Sequence, residues 1–229
     1  MTDPAPNPEL LASLGRMVRG LSALFWGLPL ALVVCVQTGK DEWLRPLNIL
    51  PPLIATSLLF YGITLFGRFQ KQERVWLAAL ERAKLFALVN VGLSPFIYWW
   101  SRLPGNPLYS AMVQLIMISG LLFLYSLNPV LWRLAAMLPD ETLRHETRFF
   151  TRINCTLLGI MLWLKILFLV LRRVTELPEP VSKILYYMEE ADTGRWLMLL
   201  LVLLPIAMTM ALIWKTKEVI LSSVFGPES

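Results

Sequence analysis

The chain reads as an all-α polytopic membrane protein, a single integral membrane domain of six transmembrane helices with short interfacial helices. Three observations predict this. The 229 residues are 56% hydrophobic with a mean hydropathy of +0.60, outside the range of ordinary soluble domains. The apolar residues fall in blocks long enough, at about 1.5 Å per residue, to cross a hydrocarbon core of about 30 Å. Charged connectors separate those blocks, and only one block contains a charge, Lys165.

The first residues, MTDPAPNP, are too polar and proline-rich to hold structure alone. Asn7-Pro8-Glu9 then has the marks of a helix start: a cap, a proline in the first turn and an acid at the positive dipole end. Leu10, Leu11, Leu14, Met17, Val18 and Leu21 recur at helical spacing, which predicts a short interfacial helix running into span one, residues 20–38. Arg16 and Arg19 precede an apolar run, as in a signal peptide. Val34-Cys35-Val36 lacks the small residues of a cleavage site, so an uncleaved span is expected. Ala23, Gly27 and Ala31 fall four apart, a small-residue face that admits a close neighbour.

Span two, residues 47–66, opens at Pro51-Pro52. A basic connector over 67–84 contains a helical stretch from Val75 that lies on the surface or leads into span three, residues 85–101. That span carries Asn90, Ser94 and Pro95 and leaves through Tyr98, Trp99 and Trp100, an aromatic belt at headgroup level. Span four, residues 109–128, holds Gln114. After a polar connector over 129–152 come span five, residues 153–171, with Lys165, and an amphipathic surface helix from Pro180. Span six, residues 196–214, is kinked at Pro205.

Charge placement predicts orientation. With Lys165 set aside, the tails and even-numbered loops hold 13 Lys and Arg against 7 in the odd-numbered loops. That excess places both termini in the cytoplasm and the chain in a cytoplasmic (inner) membrane. The net charge of +5 is spread over all the loops, so no nucleic-acid partner is expected. Cys35 and Cys155 fall at opposite ends of their spans, beyond the ~7 Å that a disulfide tolerates between Cα atoms. Both read as small packing residues without redox chemistry.

Lys165 sits six residues from the end of its block, roughly 9 Å below the boundary, deeper than its stem alone reaches. Acceptors at similar depth are Gln114, Ser94 and the carbonyls of Val91 and Leu201 that Pro95 and Pro205 leave unbonded. With Arg172 and Arg173, Lys165 can hold a lipid phosphate or an anionic solute. The alternative is that it snorkels and fixes helix packing. Asn90, Gln114 and Asn154 are read as helix–helix hydrogen-bonding groups worth about 1 kcal/mol each. Glu141 and His145 share a helix turn, but no second histidine or cysteine completes a metal site. The simpler reading has Asp140 capping a helix, with Glu141 or Glu146 pairing with neighbouring arginines.

No paired carboxylates, nucleophile–base pair or glycine-rich phosphate loop appears within the spans. No cofactor and no metal are expected. The leading functional expectation is a non-enzymatic subunit or scaffold whose partners are membrane lipids and other membrane subunits or copies of itself. The rival is a small transporter or channel for an ion, anionic solute or lipid using Lys165. A third option is a lipid-handling enzyme built on Glu141 and His145.

Overall fold

The computed structural model describes residues 8–40, 45–69, 73–138, 140–171 and 192–225. Seven α-helices account for most of them: α1 Pro8–Lys40, α2 Leu50–Thr64, α3 Arg74–Leu93, α4 Pro95–Arg102, α5 Pro107–Ala136, α6 Glu141–Leu171 and α7 Asp192–Phe225. Short 3-10 turns flank α2 at Arg45–Leu47 and Leu65–Arg68. No strand occurs among the described residues. The surface helix expected from Pro180, together with Arg172 and Arg173, lies outside them.

Five helices are long and apolar enough to cross a membrane, over Ala12–Gly39, Leu50–Gly67, Pro107–Ala136, Glu141–Leu171 and Leu200–Ser222. The expected six is not exactly matched among the described residues: residues 85–101, the expected third span, are divided between α3 and α4. The cause is Pro95, which has no N–H and whose ring crowds the carbonyl of Val91. Ser94 occupies the break, and its hydroxyl donates to Val91 O at 2.9 Å. Pro29, Pro129 and Pro205 lie inside continuous helices instead.

The spans also run further than their apolar blocks. Helices α1, α5, α6 and α7 contain 33, 30, 31 and 34 residues, about 45–50 Å each at 1.5 Å per residue. The expected interfacial helix at the N-terminus is therefore the first part of α1. The stretch from Val75 belongs to α3, and residues 130–136 extend α5 into what the sequence presents as a polar connector. The segment after Trp214 continues α7 to Phe225. Asp140 starts α6 as its spacing predicted, accepting from Thr142 N at 2.9 Å and Leu143 N at 3.1 Å. The Thr142 hydroxyl bond, then the Leu143 amide, hold its carboxyl below the ordinary value.

These extensions are amphipathic, and they supply the core. Trp76, Leu80 and Ala83 of α3, Leu131, Leu134 and Ala135 of α5, and Leu143 of α6 are fully buried with Met17, Leu21, Phe66, Ile213 and Ile220. Residues that look like polar connectors thus build the packed end of the bundle.

Helices α1 and α2 run in opposite directions, as do α6 and α7, where Asn154 meets Thr209 and Glu146 meets Lys215. On α1 and α2, Gly20 faces Gly62 while Gly27 faces Leu59. The rings of Phe66, just after α2, and Trp76 of α3 lie 6.3 Å apart, tilted by 33°. Ser119 of α5 donates to Phe86 O of α3 at 3.4 Å, and Tyr109 stacks on Trp99 of α4 at 6.5 Å. The approach of α1 to α2 includes Gly27 of the expected small-residue face and extends to Gly20. A Cβ on Gly20 would lie 2.8 Å from Gly62 O and 2.7 Å from Phe66 Cε1, and one on Gly27 would lie 2.8 Å from Leu59 Cδ2. The contact therefore runs through Gly20 and Gly27, seven apart.

Candidate functional site

Helix α6 turns one face into the bundle: Leu143, Thr147, Thr151, Asn154, Leu158 and Met161. Their spacing of three and four keeps them on one stripe, but the middle three are polar. Asn154 stands where α5, α6 and α7 meet and is 0% exposed. Its Nδ2 donates to Asn128 Oδ1 at 3.0 Å, Thr209 Oγ1 at 2.9 Å and Pro205 O at 3.2 Å. Asn128 Nδ2 donates to Leu124 O at 2.8 Å and to Thr209 Oγ1 at 3.3 Å. Thr209 Oγ1 donates back to Pro205 O at 2.8 Å. Pro205 O thus accepts from two side chains, beside a residue that cannot donate to its own helix ladder.

The node ties three helices together with directional bonds, the role expected for Asn154. Asn128 and Thr209, its partners, went unread in the sequence. Asn128 closes an apolar block, where an amide looks like a span terminus, and Thr209 looks like a span-filling residue. A usable signal existed in the four-residue interval from Pro205 to Thr209, which puts a hydroxyl back onto the proline's carbonyl.

The other singled-out residues are dispersed. Lys165 is half-buried on α6. Gln114 is half-buried on α5, and its buried Oε1 accepts no hydrogen bond. Ser94 spends its hydroxyl within its own segment on Val91 O. Asn90 is buried on α3, and its Oδ1 also accepts no bond.

Glu141 and His145 are exposed. Glu146 pairs with Lys215 of α7, a cross-helix partner in place of the arginines expected on its own helix. No cluster of three His, Cys, Asp or Glu side chains able to hold a metal occurs among the described residues. Cys35 and Cys155 are free, half-buried thiols.

Between α6 and α7 lies a groove of about 260 Å³, walled by Phe150, Met208, Ala211 and Leu212 and bordered by Glu146 and Lys215. Its walls are mainly apolar and its one charged end is already paired, so it offers packing surface rather than reacting groups. No family model, curated protein or solved structure matches this chain.

Proposed function

We propose that this chain is a non-enzymatic multi-pass membrane protein that works by lateral association, as a subunit or scaffold packed against partner helices. One observation carries the reading: the helix glycines are of two kinds. Gly20, Gly27 and Gly62 are filled by neighbours within the chain, whereas a Cβ on Gly92, Gly120 or Gly159 would meet nothing within 4 Å. A glycine inside a helix is about 1 kcal/mol less favourable than alanine, and in a membrane small residues let a second helix approach closely. Gly159 sits beside outward-facing Ile160 and Trp163, the latter 62% exposed. In this reading α3 and α4 together form a broken sixth crossing. The contact of Gly39 with Trp100 at the far end of α4 supports it. Both termini then face the cytoplasm of an inner membrane, in line with the basic excess on their side.

Mass measurement of the chain extracted directly into lipid nanodiscs tests the proposal. The expected particle holds more protein than one 26.2 kDa chain and dissociates to a single chain on Gly159→Leu, with the fold retained. A wild-type particle containing one chain and no partner would overturn it. The transporter or channel reading has one observation in its favour, the buried acceptors Asn90 Oδ1 and Gln114 Oε1 on adjoining helices. It requires that Lys165→Leu abolish flux while leaving stability intact.

A further inference from the structure

Six threonines are buried among the described residues. Four turn their hydroxyls onto a carbonyl one turn back: Thr38 onto Val34 at 2.7 Å, Thr56 onto Pro52 at 2.8 Å, Thr209 onto Pro205 at 2.8 Å and Thr216 onto Leu212 at 2.7 Å. That is how a hydroxyl satisfies itself when lipid or apolar side chains surround it. Thr147 and Thr151 do otherwise. Their Oγ1 atoms are buried without any partner, as is Asn154 Oδ1 one turn further along. The three residues are 0%, 7% and 0% exposed. Each such atom left bare costs about 1–3 kcal/mol, and all three lie on one face of α6.

We propose that Thr147, Thr151 and Asn154 line a file of bound water, which enters between α6 and α7 beside the Glu146–Lys215 pair and ends at the Asn128–Asn154–Thr209 node. The groove between α6 and α7 supplies the access, because Thr147 forms part of its wall next to Glu146 and Lys215. The chemistry of the groups decides the ligand. Side chains three and four apart on a helix are neighbours, with Cβ atoms about 5–6 Å from one another, so a water can hydrogen-bond to successive members. A hard cation takes six or more oxygens and favours carboxylates, whereas these three oxygens are neutral. A water held by two or three such groups is an ordinary structural element of a polar interior. The file is independent of whether the chain associates with partners.

Cysteine accessibility tests it in the full chain, carrying Cys35→Ala and Cys155→Ala, in membrane fragments open on both faces. A small hydrophilic methanethiosulfonate reacts with the thiolate, which needs water. Thr147→Cys and Thr151→Cys should react at least about tenfold faster than Leu158→Cys, which is equally buried on the same face beyond the node. Equal rates at Thr151→Cys and Leu158→Cys would overturn the file. Thr151→Val gives a second measurement that does not depend on labelling. Loss of a water-bonded hydroxyl lowers the melting temperature, whereas an unchanged or raised value marks a dry seam and also overturns the proposal.

Discussion

The α1–α2 seam closes on glycine, while the seam joining α5, α6 and α7 closes on amides and hydroxyls. At the first, Gly20 and Gly62 bring two backbones so near that an added Cβ would lie 2.8 Å from a carbonyl oxygen. At the second, Asn154 alone bonds to Asn128, Thr209 and Pro205. With the helices in a membrane, as proposed, the contrast follows from the solvent. Lipid tails are as apolar as leucine, so burial of apolar surface does little to draw membrane helices together. Close contact and hydrogen bonds remain, and each seam uses one of them. A glycine seam is intolerant of volume and indifferent to polarity, and a polar seam is the reverse.

Substitutions that add volume or remove polarity separate the two. The largest effect is expected for Gly20→Leu, which must push α2 away from Gly62 and Phe66. A loss of about 3 kcal/mol or outright failure to assemble should appear in thermal unfolding. Retained stability would mean that α1 and α2 do not touch through glycine. Asn154→Leu keeps the branching and heavy-atom count of the side chain but strands Asn128 Oδ1, and a loss of about 1–2 kcal/mol should follow in the same assay. If Asn154→Leu is neutral while Gly20→Leu is severe, packing governs both seams and the contrast fails.

Smaller still is Lys215→Ala, which removes an exposed ion pair and should change stability by less than about 1 kcal/mol, and less again at high salt. Asp140 sharpens the comparison by pH. Its carboxyl is lowered in the fold, first by the Thr142 hydroxyl. Its contribution is therefore complete above the unfolded value and disappears as the pH falls through the folded one. Asp140→Asn should remove that acid-side component of the unfolding profile, and an unchanged profile would show that the cap is not a source of stability.

Much of the helical framework is legible from residue spacing. The cap at Asp140, the Pro51-Pro52 opening of α2 and the buried role of Asn154 all follow from local rules. The breaks and extensions do not. Pro95 divides a segment that Pro205 does not divide elsewhere, because a proline's effect depends on what satisfies the freed carbonyl and which neighbour supports the bend. The full extent of the glycine contact is not local either. Ala23, Gly27 and Ala31 satisfy the four-residue interval, but that Gly20 also meets Gly62 depends on how the two helices cross. The candidate site was the least legible. Thr147, Thr151 and Asn154 repeat at intervals that can be seen in the chain, yet the burial of their oxygens without protein partners is visible only in three dimensions.

The sequence by itself determined the material of this protein: long apolar stretches, their basic flanks and the polar residues placed among them. Those properties depend on composition and on neighbours within about four positions, which helix periodicity makes readable. Only the tertiary structure decided that the flanks are core, that Gly20 meets Gly62 and that Asn128, Asn154 and Thr209 converge. Each of these joins residues tens of positions apart, and their meeting depends on how whole helices cross, which no local interval encodes.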